Sequence, residues 1–189
     1  MKYKLTANTI IRKGIILYQI EALQSFRKVK RGDYGGYIEK ESNLSQEGNC
    51  WVHNVALVYN DANISGNAQI TDNAEIFGNA QILDNAYIGI SSKVYGNAVV
   101  RNNGVVHCSG VVYDNAEVCD DAKVSDGGKL YGNAKASGKM VVMYNWPAPL
   151  TNLNDNQIPE FIDLLPKGVT YIRYNNKDYH IDPLTGAVS

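Results

Sequence analysis

The chain has 189 residues, with 18 Lys and Arg against 19 Asp and Glu and a net charge of −1. That length supports one domain with small additions, and the near-neutral balance excludes the strongly basic composition of a nucleic-acid tail. No secretory leader or apolar run of membrane-spanning length occurs, so we expect a soluble cytoplasmic protein with no membrane association.

Charge is unevenly spread along the chain. Residues 1–41 hold nine basic against four acidic residues, residues 42–143 six against ten, and residues 144–189 three against five. In the basic head, Tyr3–Thr6 and Ile15–Leu23 read as strands joined by a turn at Lys13-Gly14. The cluster Arg27, Lys28, Lys30 and Arg31 follows. It reads either as a solvated turn or as a site for an anionic partner, nucleic acid included. We expect residues 1–41 to form an N-terminal β cap, because an open sheet edge invites edge-to-edge pairing.

From Gly48 to Met143 the sequence repeats every six residues through sixteen units, such as GNAQIT, DNAEIF and GNAQIL. The fifth position is always aliphatic, from Val52, Val58 and Ile64 through to Val142, and the third is small, mostly Ala. Alternate residues of a strand face opposite ways, so positions three and five point together. Positions one and two carry Gly, Asp and Asn, which tolerate positive φ or bond to their own corner. Each unit is therefore a short strand plus a corner, and the units stack as a parallel β-helix.

The aromatic residues at position six set the number of units per coil. Tyr59, Phe77, Tyr95, Tyr113 and Tyr131 are each eighteen residues from the next. Three hexads per coil place them in one column, and sixteen hexads make about five coils.

The run resembles the hexapeptide-repeat, left-handed β-helix superfamily, in which an aliphatic residue precedes a small one by four positions (Ile64 and Ala68, Ile70 and Ala74, Ile76 and Ala80). Left-handedness is implied by the resemblance alone. The segments Gly32-Asp33-Tyr34-Gly35-Gly36-Tyr37-Ile38 and Asn43-Leu44-Ser45-Gln46-Glu47-Gly48-Asn49-Cys50-Trp51-Val52 are similar to the lead-in of the YdcK-like bacterial and phage hexapeptide proteins. The resemblance covers about residues 10–143 and implies fold and a phage or prophage setting, with little chemistry.

Two prolines in Asn145-Trp146-Pro147-Ala148-Pro149 end the repeat. A short helix at Ile158–Leu165 and a hairpin of Val169–Tyr174 with Lys177–Ile181 are expected in residues 144–189, as a small α/β cap or a docking module.

Catalytic signals are weak. The hexapeptide superfamily contains acyltransferases and zinc enzymes, but the run has no inserted loop, and His53 and His107 fall three coils apart on one face. Only His180 completes the histidines, and none of the three cysteines, Cys50 (inward), Cys108 (corner) or Cys119 (outward), has metal-like spacing. We expect no catalytic residue, no metal and no cofactor. The aromatic column, with Val111 beside it, reads either as internal reinforcement or as an interface. Val99, Val105 and Val111 add a second apolar patch.

We therefore expect an all-β, left-handed parallel β-helix capped at both ends. The functional expectation is a non-catalytic phage or prophage interaction protein that binds a host or phage macromolecule, an inhibitor of host defence being one form. Protein partners and homo-oligomerisation fit it best, and nucleic acid is a weaker partner. A self-associating structural β-helix and an acyltransferase-like enzyme are the alternatives.

Overall fold

The computed structural model describes residues 1–143 and the backbone of 171–174 and 177–180. The expected helix at 158–165 lies outside the described residues. Three strands open the chain: β1 (Tyr3–Arg12), β2 (Ile15–Ala22) and β3 (Tyr34–Ile38). β1 and β2 pair antiparallel around the turn at Lys13 and Gly14, both at positive φ, and β2 pairs antiparallel with β3.

From β3 onward the chain winds into a parallel β-helix with three faces. Every hexad contributes a strand of two or three residues built on positions four and five, and residues eighteen apart lie side by side, as in Ile76↔Val94 and Val94↔Val112. Face A carries the fifth-position stack Val58, Ile76, Val94, Val112 and Leu130 below Ile38 of β3. Face B carries Ile64, Ile82, Val100, Val118 and Ala136, and face C runs from Val52 to Val142. All these side chains are buried, with the third-position alanines between them, in one continuous core.

The corners follow from the position-one residues. All sixteen, from Gly48 to Gly138, have positive φ, which explains the run of Gly, Asn and Asp there. Ile90 is the strained member, a β-branched residue at φ 51. Position two is most often Asn, for a different reason. Its amide donates to the residue one coil on, as in Asn79→Asn97 (2.9 Å) and Asn97→Asn115 (3.0 Å), so the corner bonds to itself along the prism.

The helix has six coils rather than the five expected. β3 pairs parallel with Leu57–Val58, and Leu44 bridges Ile64, so residues 34–52 form an irregular first coil. Its register is twenty residues (Ile38↔Val58) where the rest is eighteen, the two additional residues falling between Leu44 and Val52. At Gly36 a Cβ would lie 2.5 Å from the Ala56 carbonyl oxygen, so only glycine lets β3 approach the coil this closely. At the far end, Val141 on face C pairs antiparallel with Arg173 of the hairpin Tyr171–Tyr174/Lys177–His180.

Among the described residues, no helix is long and apolar enough to cross a membrane.

Candidate functional site

The lead-in segment docks the head onto the first coil. Trp51 points outward from face C, yet it is buried, with the rings of Phe26 (5.4 Å between centroids) and Tyr3 (6.2 Å) packed edge-on against it. Gln46 accepts from the backbone N–H of Lys2 at 2.8 Å and donates to the Tyr3 carbonyl at 3.2 Å. Lys2 is buried as well, and its ammonium donates to the carbonyls of Glu47 (3.2 Å) and Cys50 (3.0 Å) while lying 3.2 Å from Cys50 Sγ. The Ser45–Trp51 stretch, itself part of the first coil, thus ties the start of the chain to that coil.

That docking creates a groove. Phe26 and Val29 exchange both backbone hydrogen bonds, at 3.0 and 2.9 Å, and close a tight turn with Arg27 and Lys28 at its tip. The turn overhangs face C. Between them lies a cavity of about 490 Å3, lined by Phe26, Arg27, Lys28 and Val29 above and by Asn49, His53, Gln69, Thr71 and Tyr87 below.

The lower lining is held firmly. Gln69 directs its Nε2 at the carbonyls of Asn49, Asn67 and Ala68, at 2.9–3.0 Å, leaving Oε1 to accept from His53 Nε2 at 2.8 Å. His53 Nε2 therefore carries a hydrogen, and Nδ1 is the ring nitrogen without that bond. The Tyr87 hydroxyl meets Thr71 Oγ1 at 2.9 Å. Its ring lies across Gly89, where a Cβ would fall 2.5 Å from Thr71 Oγ1 and 2.8 Å from the Tyr87 hydroxyl.

The aromatic column on face A is a stack. Centroids from Tyr59 to Tyr131 are 4.8–5.2 Å apart with ring planes within 14° of parallel. Its first two rungs are occupied by the chain's own hairpin. Tyr59 is only 1% exposed. The tip of β1 brings Arg12 to Glu75 through two parallel hydrogen bonds (2.9 and 3.0 Å), and the Tyr59 hydroxyl donates to the same carboxylate at 2.6 Å. Lys13 Nζ sits 4.5 Å from the Phe77 centroid.

Burial by itself would raise the Glu75 carboxyl, but the Arg12 and Tyr59 hydrogen bonds overturn it and hold the group down at about 2. Burial, then the Glu75 carboxylate, pushes the Tyr59 phenol up. Tyr95, Tyr113 and Tyr131 remain half-buried beyond the hairpin, flanked by exposed Lys93 and Lys129 and half-buried Val111. Burial raises the Tyr95 and Tyr113 phenols.

The remaining candidates separate. Arg27 and Lys28 join the groove, whereas Lys30 and Arg31 are exposed outside its lining. His53 and His107 lie three strands apart on face C, and among the described residues the side-chain partner of His107 Nδ1 is its neighbour Cys108 Sγ, at 3.0 Å. Val99, Val105 and Val111 fall one to each face, all half-buried. Cys50 is inward and buried, and all three cysteines are free. Cys119, at an outward position, is nonetheless buried, near the ion-pair group of Arg101, Glu117 and Lys135. His180 lies on the C-terminal hairpin, with no side chain described. Among the described residues, no group of three His, Cys, Asp or Glu could hold a metal ion.

No family model matches the chain. Over 43 residues it is 44% identical to the uncharacterized acetyltransferase YdcK of Escherichia coli (strain K12). The match covers 23% of this chain and 13% of that protein. With the coil geometry, it fits a hexapeptide-repeat β-helix.

Proposed function

We propose that the protein is a non-catalytic interaction protein of a phage or prophage, which docks a host or phage protein on the aromatic column of face A. Inhibition of a host defence protein is one form of this role, and self-association through the same face is another. The observation that carries the reading is the division of the column. The chain's own hairpin covers Tyr59 and Phe77, while Tyr95, Tyr113 and Tyr131 continue the same stack without that cover. Aromatic edges beside Val111 and flanked by Lys93 and Lys129 suit a partner segment with apolar and acidic side chains.

The test is Tyr95→Ser with Tyr113→Ser. Three of the four stacked pairs are lost, at about 0.5–1.5 kcal/mol each, while Val94 and Val112 stay in the core. The fold survives, and oligomeric mass by light scattering or partner retention falls by more than about 2 kcal/mol in binding energy. Unchanged association in a destabilised variant makes the column reinforcement only.

Acyl transfer is the second reading. It is favoured by the likeness to an acetyltransferase and by His53, whose Gln69 bond leaves Nδ1 able to accept a proton beside the groove. Turnover of acetyl-CoA that vanishes in His53→Ala establishes it in place of the first.

A further inference from the structure

The groove beneath the Arg27–Lys28 turn is a second feature, on a different face from the aromatic column, and the interaction role proposed for that column does not use it. We infer that it is a binding site for a nucleoside phosphate of mononucleotide size. Four observations carry this.

The first is charge. Among the described residues, no carboxylate lines the cavity and neither Arg27 nor Lys28 has an acidic partner within ion-pair distance. Within that set of residues the lining cations have no counter-charge, and an Arg fork beside a Lys matches one phosphate group. The second is backbone. Arg27 holds φ 46 at the turn tip, a conformation that favours glycine or asparagine. The backbone of the turn does not call for an arginine there, so what the residue contributes at that position is its side chain.

The third is the aromatic lining. Phe26 packs on Trp51, and Tyr87 is fixed by Thr71 and by the missing Cβ of Gly89. Rings immobilised before a ligand arrives are stacking platforms for a planar base, and each such stack is sequence-tolerant. The fourth is size and polarity. About 490 Å3 lies within the range of small-ligand pockets, too small for a run of polymer. His53 Nδ1 offers an acceptor to the edge of a base. The base lies on the aromatic lining and the phosphate on the Arg27–Lys28 wall.

The experiment is calorimetric titration of the full chain at low salt with AMP, GMP, CMP and UMP. Inorganic phosphate, the matching nucleosides, coenzyme A, a short single-stranded RNA and an acidic aromatic peptide serve as comparison probes. At least one mononucleotide binds, and its nucleoside binds at least tenfold more weakly. Arg27→Gly suits the backbone at that position, so it keeps the melting temperature while weakening the mononucleotide at least tenfold. Lys28→Gln and Tyr87→Leu weaken it in the same direction. The Tyr95→Ser/Tyr113→Ser variant binds it as the unaltered protein does, which separates this site from the face A reading. The proposal is overturned if no mononucleotide binds at millimolar concentration or if Arg27→Gly leaves binding unchanged. Binding confined to coenzyme A, the RNA or the peptide overturns it too.

Discussion

Glu75→Gln tests whether the hairpin is clamped to the aromatic column. The native carboxylate is buried and receives two hydrogen bonds from Arg12 and one from the Tyr59 hydroxyl, with Lys93 Nζ 3.8 Å away. Folding lowers its pKa from the ordinary 4.5 to about 2. The folded state therefore binds fewer protons between those values, and stability rises with pH across the window. The contribution is fully present above about 4.5 and is lost as the pH falls towards 2. Unscreened, the displacement is worth about 3 kcal/mol. Solvent at Arg12, whose side chain is 42% exposed, brings the expected loss to roughly 1–2 kcal/mol. Denaturant melts of the protein and of Glu75→Gln at pH steps from 6 to 2 give a difference curve, in which the other carboxylates largely cancel. The difference shrinks by that amount on acidification, and hydrogen exchange at Ile10–Leu17 quickens in the variant at neutral pH. A flat difference curve with unchanged exchange refutes the clamp.

Other outcomes follow from the same geometry. Ile76→Asp or Ile88→Asp puts an unpaired charge on the dry axis of the prism, and no folded protein is recovered by circular dichroism. Trp51→Ala removes the ring under Phe26 and Tyr3 and costs about 3–5 kcal/mol, seen as early proteolysis within residues 1–33. Ile90→Asn relieves a β-branched residue at positive φ and raises stability by about 1 kcal/mol, measured by chemical denaturation.

The coil was legible in the sequence because its grammar is local. A corner every six residues and an aromatic every eighteen establish strand, register and face without long-range information. The first coil was not legible, since two additional residues between Leu44 and Val52 break the hexad count and make Gly36-Tyr37-Ile38 look like part of a cap. Burial of Tyr59 and Cys119 escaped for another reason. Each points outward by the alternation rule and is covered by partners the rule cannot see, the tip of β1 in the first case and the long side chains around Glu117 in the second. The groove joins a turn at 26–29 to three successive coils. Its sequence traces were the basic cluster at 27–31 and a lone glycine, Gly89, at a sixth position, and neither announces a cavity by itself.

Position-specific crosslinking reads out whether face A below the hairpin meets a partner. A benzophenone side chain is placed at position 113 or 131 in the column, and in a control at exposed Gln81 on face B. Illumination in bacterial lysate yields one discrete adduct, or the covalent dimer, from 113 and 131 and none from 81. Equal labelling from all three positions, or none from the column, contradicts that contact.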